Sequence, residues 1–231
     1  VKCSLELCRK RDVKNLYKKA ENGELENLSG ITGRYDIPQN PDLIIHLAAH
    51  AGVRHSMDNA MAYIENNIIA TQNLIDVCED RVNKIIYAST SCVMAGQDLP
   101  WSEKDNPSHQ LNPYGYTKRT NECQFITSKI LHTIGLRFFT VYGPWGRPDM
   151  ALFKFSEAAV KDNTIDVYNN GQMLRDFTYI DDLINGCILA AKSKKGENET
   201  FNITFGEARS LLDYVKILKK YFKNLKYKVH K

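Results

Sequence analysis

Short apolar runs alternate with longer amphipathic segments in the first part of this chain, and this alternation restricts its fold more than any other feature. The three predicted strands are Asp42–Ala49, Lys84–Ser89 and Leu136–Val141. Helical periodicity follows the first strand over Ala60–Cys78, and a second helix beginning at Tyr114 precedes the third strand. Strands separated by helices form parallel sheets with helices on both faces. The sequence therefore predicts an α/β fold with a doubly wound parallel sheet.

Beyond Pro144 the pattern becomes a mixture of shorter elements. The predicted helices there are Met150–Lys161, Asp181–Lys192 and Leu211–Phe222. The predicted strands are Ile165–Tyr168 and Phe201–Thr204. The run Gly143-Pro-Trp-Gly146 separates the two patterns, because glycine and proline interrupt regular structure. We therefore expect one domain over residues 1–145 and a smaller mixed α/β lobe over residues 146–231, with some chain crossing between them.

The composition is that of an ordinary soluble globular protein, with 43% hydrophobic and 25% charged residues among 231. Six lysines and no acid lie between Lys219 and Lys231, and they account for the formal net charge of +4. A solvated end explains this run better than a nucleic-acid or membrane surface, since no aromatic-basic binding motif accompanies it. No stretch reaches the ~18 apolar residues of a membrane span. The sequence predicts a cytoplasmic protein with no nucleic-acid and no membrane partner.

The cysteines and histidines predict neither disulfides nor a metal site. The cysteines form no CxxC pair and lie in apolar segments, as expected for reduced, buried thiols in a cytosolic protein. They are Cys3, Cys8, Cys78, Cys92, Cys123 and Cys187. His46, His50 and His55 come closest to a metal-binding spacing, but His46 falls in a predicted strand, where a core function is favoured.

Tyr114 and Lys118 lie four residues apart on one face of a predicted helix start, in the run Asn112-Pro-Tyr-Gly-Tyr-Thr-Lys118. A cation beside a phenol favours the phenolate, so this spacing predicts a lowered pKa for Tyr114. A phenol whose pKa is shifted toward neutrality can accept and return a proton, as the interconversion of an alcohol and a ketone requires. The alternative is a solvated amphipathic face without chemistry.

A hydroxyl cluster, Ala88-Ser-Thr-Ser-Cys92, ends the second predicted strand. Ligands of doubly wound sheets bind at the carboxyl ends of the strands. A Ser or Thr at that place can hydrogen-bond a reacting oxygen and pass its proton to a phenolate. The alternative is a strand-to-loop cap. The combination of the cluster with Tyr114 and Lys118 favours proton-transfer chemistry.

Several stretches together resemble the extended short-chain dehydrogenases/reductases, and within them the NAD-dependent epimerase/dehydratase family. They are His46–Arg54, Asn67 with Asn73-Leu74, Tyr87–Ser91, Pro113–Lys118, Leu136–Met150 and Arg175–Asp182. The chain is most similar to the UDP-glucuronate 4-epimerase type, over roughly residues 42–206. The resemblance implies a partial, Rossmann-like NAD-binding domain over residues 1–145 and a partial UDP-sugar lobe over residues 146–231.

The resemblance also implies a function for each matching residue. The implied catalytic residues are Tyr114 as acid/base, Lys118, and Thr90 as the proton shuttle. The implied NAD-binding residues are Leu47, Ala48, Ala49, Asn67, Ser89, Tyr114, Lys118 and Phe138. The UDP-sugar would be bound through a carboxylate by Ser91, Thr140 and Arg147, and through its diphosphate by Arg175, since a guanidinium fork suits such oxygens. For Arg175 the alternative is a surface ion pair with Asp176 or Asp181.

The implied reaction is NAD-dependent 4-epimerisation of UDP-glucuronate to UDP-galacturonate through a 4-keto intermediate. Ser91 and Cys92 stand where related dehydratases carry an Asp-Glu pair, and decarboxylating relatives carry a Glu near the same place. This disfavours the alternative of a dehydratase or decarboxylase of the same fold. Cys92 also replaces a hydroxyl that is usual in the family, and a thiol is a weaker hydrogen-bond donor.

The resemblance further leads us to expect that both ends of such an enzyme are missing from this sequence. Gly30-Ile-Thr-Gly33 is too short for the GxxGxxG turn that binds pyrophosphate at helix N-terminal amides, and a further substrate-lobe segment would follow Phe222. We therefore expect weak or no turnover from the chain as written. The alternative to an active epimerase is an inactive fragment that binds UDP-sugar only. The apolar faces of Ala60–Cys78 and Tyr114–Leu131 are compatible with a homodimer.

Overall fold

The computed structural model describes residues 5–10, 15–26, 41–195 and 197–231. The chain divides into two compact units, Val1–Pro41 and Asp42–Lys231. In the first unit, the described helices are α1 (Leu5–Lys10) and α2 (Leu16–Glu21), which are joined by an ion pair of 2.5 Å between Arg9 and Glu21. The stretch from Gly30 to Gly33, compared above with a glycine-rich turn, lies outside the described residues.

The second unit alternates strands and helices. Its strands are β1 (Leu43–His46), β2 (Lys84–Thr90), β3 (His132–Phe138), β4 (Thr140–Tyr142), β5 (Ile165–Val167), β6 (Leu174–Tyr179), β7 (Glu199–Ile203), β8 (Ala208–Ser210) and β9 (Tyr227–Val229). Its α-helices are α3 (Val53–Asp58), α4 (Ala60–Tyr63), α5 (Ala70–Cys78), α6 (Pro113–Thr127), α7 (Ala151–Val160), α8 (Ile180–Lys192) and α9 (Leu211–Tyr221). A π-helical segment, Ile64–Ile69, joins α4 to α5, so the predicted helix Ala60–Cys78 is confirmed with a local change of winding.

The main sheet has four parallel strands in the order β1-β2-β3-β7. In this register His46 pairs with Tyr87, and Thr90 pairs with Phe138. The predicted α/β fold with a doubly wound parallel sheet is confirmed. Because β7 comes from the last part of the chain, the main sheet contains strands from both sides of the Gly143-Pro-Trp-Gly146 run.

Strand β1 is shorter and more exposed than the apolar run Asp42–Ala49 predicts. It has four residues, and Ile45 is 45% exposed. The reason is its position, because among the described strands β1 pairs with β2 alone and lies at the edge of the sheet. Residues 47–49 follow it as an exposed loop.

The prediction of one strand over Leu136–Val141 is wrong. The chain leaves the main sheet after Phe138, and Thr140 begins β4 in a second sheet of order β4-β6-β8. Strands β4 and β6 are parallel, whereas β6 and β8 are antiparallel. One apolar run therefore contributes residues to two sheets. Its hydrophobicity does not show where the chain changes sheet, because that depends on which strands lie beside it in the tertiary structure.

The helices predicted in the last part of the chain are confirmed as α7, α8 and α9, and the two strands as β5 and β7. Strands β6, β8 and β9 and helix α3 were not predicted from the sequence. These strands are short and rich in polar residues, and their partners are distant in sequence: β5 pairs with β9, and β6 with β8. Local periodicity does not detect such elements.

Apolar side chains are buried on both faces of the main sheet. One cluster packs Ile75 of α5 and Phe125 of α6 against Tyr87 of β2, whose ring stacks on that of Phe125 at 4.1 Å. A cluster on the α8 side joins Leu183 to Leu136 of β3. A third joins α7, α9 and β5. None of the helices in the described part of the chain combines the length and the apolar composition needed to cross a membrane.

Four of the cysteines have described side chains, and all four are free thiols. Cys78 and Cys187 are buried as expected, and burial raises the pKa of both. The expectation is wrong for Cys123, which is exposed, and Cys92 is half-buried.

Candidate active site

Tyr114 and Thr90 meet at the carboxyl end of β2. Tyr114 lies in the first turn of α6, where the Asn112 side chain accepts a hydrogen bond from the Gly115 N–H (2.8 Å) and Pro113 occupies the first helical position. Both features are typical of helix starts. Thr90 is the last residue of β2, and its side chain lies close enough to the Tyr114 phenol to lower the pKa of that phenol. The structure therefore brings the predicted acid/base and the predicted proton shuttle into contact.

Burial decides the ionisation of Tyr114. Removal from water raises the pKa of Tyr114 to about 12, and Cys92 adds to the rise. The Thr90 hydroxyl and the positive charge of Arg147 act in the opposite direction but are weaker. The expectation of a lowered pKa for this phenol is wrong, because burial outweighs the nearby positive charge. At neutral pH Tyr114 is a protonated phenol.

Lys118 lies one turn after Tyr114 and is 2% exposed. Burial lowers its pKa to about 8, while the Glu122 carboxylate opposes that shift. Burial, with the charge of Lys118, also lowers the pKa of His46 to about 4, so this histidine is neutral at physiological pH. In the described part of the chain the Lys118 ammonium makes no hydrogen bond and no ion pair. Its three N–H groups are therefore free to bind hydroxyl or phosphate oxygens of a ligand.

Asn67 holds the loop that follows β1. Its Oδ1 accepts a hydrogen bond from the His50 N–H (2.7 Å), and its Nδ2 donates to the His50 carbonyl (3.0 Å) and to Thr117 Oγ1 (3.0 Å). Asn67 is 1% exposed and belongs to the π-helical segment. Its side chain thus fixes the peptide groups of His50, which directly follows residues 47–49, and both Nδ2 hydrogens are used by the protein.

A polar face of α6 binds the same π-helical segment. Asn121 Nδ2 donates to the carbonyl of Asn67 (2.8 Å), and Gln124 Nε2 donates to the carbonyl of Ile68 (3.1 Å). A π-helical turn displaces carbonyls from the usual α-helical bonds, and such turns are frequent at functional sites. Sequence reasoning missed these two residues. In the sequence, amide side chains along a predicted helix could have indicated that these residues hydrogen-bond a neighbouring helix.

Arg147 is a second cation close to Tyr114. Its Nη2 lies 3.4 Å from the position that a Cβ on Gly52 would occupy, beside the Tyr63 hydroxyl. The Tyr63 and Tyr114 rings are 6.2 Å apart. The guanidinium donates to both oxygens of Asp149, at 3.0 Å from Nε and 2.5 Å from Nη2. Arg147 is thus arranged to bind a carboxylate, and in this structure it binds one from its own chain.

Other predicted site residues surround the ends of β2 and β3. Ser91 directly follows Thr90 and is half-buried, as is Thr140 at the start of β4. Phe138 is the last residue of β3 and pairs with Thr90. Residues 47–49, predicted to line the cofactor, are exposed at the end of β1.

Ser89 is used inside the fold. It is 3% exposed, and its hydroxyl donates to the buried carboxylate of Glu122 (2.6 Å). Arg137 of β3 binds the same carboxylate. Sequence reasoning missed this ion pair. In the sequence, an arginine within the otherwise apolar run that follows Leu136 could have indicated a buried ion pair.

Arg175 lies on β6, directly opposite Arg209 of β8. It is exposed, and its only hydrogen bond in the described part of the chain is to the carbonyl of Leu174 (2.7 Å). Asp176 accepts hydrogen bonds from the N–H groups of Phe205 and Gly206, so the alternative pairing of Arg175 with Asp176 is not observed. No described contact joins Arg175 to Tyr114 or its neighbours.

The three histidines considered as metal ligands do not converge. The His50 and His55 rings stack at 5.6 Å, and His50 contacts the Tyr63 ring at 4.7 Å. His46 instead lies 3.4 Å from Thr71 Oγ1. Across residues 5–10, 15–26, 41–195 and 197–231, no group of three or more His, Cys, Asp or Glu side chains is placed to hold a metal ion.

The sequence profile of the NAD dependent epimerase/dehydratase family matches residues 7–204 of this chain. Protein CapI of Staphylococcus aureus is 43% identical over 184 residues, which cover 78% of this chain and 55% of that protein. The probable UDP-glucuronate 4-epimerase of Rhizobium meliloti is 40% identical over 175 residues, which cover 74% of this chain and 51% of that protein. The chain thus spans about half the length of the curated relatives it matches.

A solved structure with a similar fold is the UDP-glucuronic acid 4-epimerase from Bacillus cereus in complex with UDP-glucuronic acid and NAD. It superposes with a TM-score of 0.77 at 37% sequence identity, covering 84% of this chain and 63% of that one. The arrangement of strands and helices described above is therefore shared with a protein that binds a nucleotide sugar and NAD.

Proposed function

Because this chain belongs to the NAD-dependent epimerase/dehydratase family, we propose that it carries the catalytic centre of an enzyme that epimerises a UDP-sugar at carbon 4. We propose NAD as its cofactor, UDP-glucuronate as its substrate and UDP-galacturonate as its product. The observation that carries the proposal is the contact between Thr90 and Tyr114, with a buried ammonium at Lys118 and a guanidinium at Arg147 close to the phenol.

Thr90 and Tyr114 move the proton of the sugar 4-hydroxyl. Oxidation of carbon 4 releases that proton, which passes through the Thr90 hydroxyl to the Tyr114 phenolate, and reduction of the 4-keto sugar takes it back. The phenol is protonated at neutral pH, because burial raises its pKa to about 12. Removing a proton from Tyr114 therefore requires additional positive charge in the site, and Arg147 already acts in that direction.

The residues near Tyr114 fit an NAD molecule. Lys118 has unused donors in a buried place, which suits ribose hydroxyls, and the loop of residues 47–49 is exposed and held in place through His50 by Asn67. Phe138 and Ser89 would contribute backbone groups at the strand ends, since the Ser89 hydroxyl is occupied by Glu122. NAD, when bound, supplies the hydride acceptor and donor and the positive charge of its oxidised ring.

Arg147 selects a carboxylated sugar. Its guanidinium is bound by both oxygens of Asp149 through two N–H groups, and the C6 carboxylate of UDP-glucuronate would replace Asp149 at the same donors. Ser91, directly after Thr90, and Thr140, at the start of β4, are half-buried and would add hydroxyl donors. Holding this carboxylate matters because the 4-keto form of the sugar is a β-keto acid, which loses carbon dioxide readily. Fixed donors stabilise the carboxylate against that loss.

Arg175 would bind the diphosphate of UDP. It is exposed and free of any carboxylate partner in the described part of the chain, and a guanidinium fork suits phosphate oxygens. We further propose that residues 1–145 form part of the NAD-binding domain and residues 146–231 part of the UDP-sugar lobe, with β7 crossing from the second into the first.

We also propose that the enzyme is cytoplasmic and pairs through the helical stretch 60–78 and helix α6. The support is the set of large apolar side chains left exposed on these helices, Met61, Ile69, Val77 and Ile126. A homodimer would bury such residues in a four-helix contact.

The test is turnover by the purified chain with NAD and UDP-glucuronate, followed by NMR of the sugar anomeric protons. Appearance of UDP-galacturonate, even at the low rate expected of this chain, supports the proposal. A UDP-pentose with released carbon dioxide would instead identify a decarboxylase, and a product lighter by one water would identify a dehydratase.

The matched control is Tyr114→Phe, which removes the proton carrier and retains the ring. It should abolish turnover and leave the affinity for UDP-glucuronate, measured by calorimetry, within about twofold. A chain that binds both NAD and UDP-glucuronate but forms no product would refute the catalytic proposal and favour a binding protein.

A further inference from the structure

A single buried carboxylate joins α6 to the two central strands of the main sheet. Glu122 is fully buried, and its Oε1 accepts hydrogen bonds from Ser89 Oγ (2.6 Å) and Arg137 Nε (2.9 Å). Its Oε2 accepts from Arg137 Nη2 (2.9 Å) and Arg119 Nη1 (2.7 Å). Burial alone would raise the pKa of Glu122, but the bonds from Arg137, Ser89 and Arg119 outweigh it and hold the pKa below its usual value.

The strand partners of Glu122 directly precede site residues. Ser89 and Arg137 face each other in the register of β2 and β3, and the next pair in that register is Thr90 and Phe138. Arg137 also donates to Met94 Sδ (3.1 Å), in the turn that follows Thr90. The carboxylate therefore fixes both strands one residue before the atoms that are proposed to contact substrate and cofactor.

The helix end of this connection leads to Tyr114. Glu122 and Tyr114 lie eight residues apart on α6, which corresponds to about 12 Å along the helix axis. A helix is stiff over such a distance, so fixing α6 to β2 and β3 at Glu122 limits how Tyr114 can move relative to Thr90. Catalytic groups must be held to about 0.5 Å.

Stability alone is a poor explanation for this ion pair. Removing two charges from water is costly, and apolar side chains of similar volume often stabilise a core as well or better. Apolar side chains make no directional bonds, whereas Glu122 on α6 hydrogen-bonds Ser89 of β2 and Arg137 of β3 in fixed directions. The ion pair is therefore suited to orienting the helix relative to the two strands.

We propose that Glu122 is a positioning residue that holds the Thr90 hydroxyl against the Tyr114 phenol by binding Ser89 and Arg137. This inference rests on the proposed function for its meaning in catalysis. Whether Glu122 controls the position of Thr90 relative to Tyr114 can be tested in a protein that shows no turnover.

The experiment is NMR of the full chain labelled with [13Cζ]tyrosine, without NAD or sugar. The chain has 12 tyrosines, and the Tyr114 resonance is assigned by its loss in Tyr114→Phe. Glu122→Gln should shift the Tyr114 Cζ resonance, because it replaces an acceptor with a donor and loosens Ser89 and Arg137. In a Thr90→Val background the same substitution should produce no further shift, because the contact it controls is already absent.

The matched control is Arg119→Gln. It removes the hydrogen bond to the same carboxylate, which lies within α6, and one to Asn106 (2.8 Å), and neither bond joins a strand. It should leave the Tyr114 resonance unchanged. If Glu122→Gln does not fold, Ser89→Ala provides the same comparison, since it removes only the connection to β2.

Two results would overturn the inference: an unchanged Tyr114 resonance in a folded Glu122→Gln or Ser89→Ala variant, or a shift that persists undiminished in the Thr90→Val background. The proposed function fails separately, if the chain binds both NAD and UDP-glucuronate but forms no UDP-galacturonate. A protein that shows the coupling, binds both ligands and has no turnover would refute the function and retain the positioning.

Discussion

Replacement of Asn67 by alanine should destabilise the protein far more than replacement of its neighbour Asn66. Asn67 is 1% exposed and makes three side-chain hydrogen bonds, two to the peptide groups of His50 and one to Thr117. Each neutral hydrogen bond contributes about 1 kcal/mol, and buried partners left unpaired add to the loss. Asn67→Ala should therefore lower the free energy of unfolding by about 3 kcal/mol.

Asn66 is the matched control because it lies in the same π-helical segment and is exposed. Within the described residues its side chain makes one hydrogen bond, to the carbonyl of Ala62 (2.7 Å). The gain in helix propensity from Asn to Ala is common to both variants and cancels in the comparison. Asn66→Ala should change the free energy of unfolding by no more than about 0.5 kcal/mol.

The assay is urea unfolding followed by circular dichroism, with thermal unfolding as a second measurement. For a chain of this size, about 3 kcal/mol corresponds to a decrease in Tm of roughly 6–12 °C. Equal stabilities of the two variants would refute the reasoning, because they would mean that water replaces all three bonds of Asn67 without cost. If the proposed function is right, Asn67→Ala should also weaken NAD binding, since residues 47–49 lose their connection to the helix through His50.

Three further predictions concern Lys118, Asp149 and Gly135. Burial lowers the pKa of Lys118 to about 8 from 10.5, so between these values the native state binds fewer protons than the unfolded chain and stability rises with pH. Lys118→Met should remove this rise, measured by urea unfolding at pH 7.5 and 9.5, and identical slopes in both proteins would contradict the burial of a charged ammonium. Asp149→Asn should free Arg147 and increase the affinity for UDP-glucuronate about two- to fivefold relative to UDP-glucose, as expected for a half-exposed ion pair. The affinities for both sugars are measured by calorimetry, and an equal change for both would exclude competition between Asp149 and the sugar carboxylate for Arg147. Gly135→Ala would place a Cβ 2.6 Å from the buried Tyr87 hydroxyl and 2.9 Å from Thr200 Oγ1, so it should cost about 1–3 kcal/mol in urea unfolding, and a neutral result would show that Tyr87 can move.

Much of the fold was predictable because the elements that form it carry their own periodicity. The helical stretch 60–78, the helices α8 and α9 and the strands β2 and β7 have apolar patterns that identify them without their neighbours. Strand β6 is an example of the opposite case. Its sequence is Leu-Arg-Asp-Phe-Thr-Tyr, and it becomes a strand because β4 and β8 lie on either side of it.

The same division applies to the site. The spacing of Tyr114 and Lys118 and the hydroxyl at Thr90 were visible in the sequence, since their significance depends on a helix start and on a strand end. The bonds of Asn67 reach residues 17 and 50 positions away, and those of Glu122 to the strands reach residues 33 and 15 positions away. Such partners have no local signature, so only the tertiary structure could identify them.

The sequence by itself determined the chemical groups of this protein, a phenol, an ammonium and a hydroxyl in a doubly wound α/β chain, because residue type and spacing are local properties. The tertiary structure alone decided their protonation states. Proximity of a cation predicted a lowered pKa for Tyr114, whereas burial raises that pKa to about 12 and lowers that of Lys118 to about 8. The physical reason is that desolvation is set by everything packed around a group, and it penalises the charged form of both residues more than their proximity favours it.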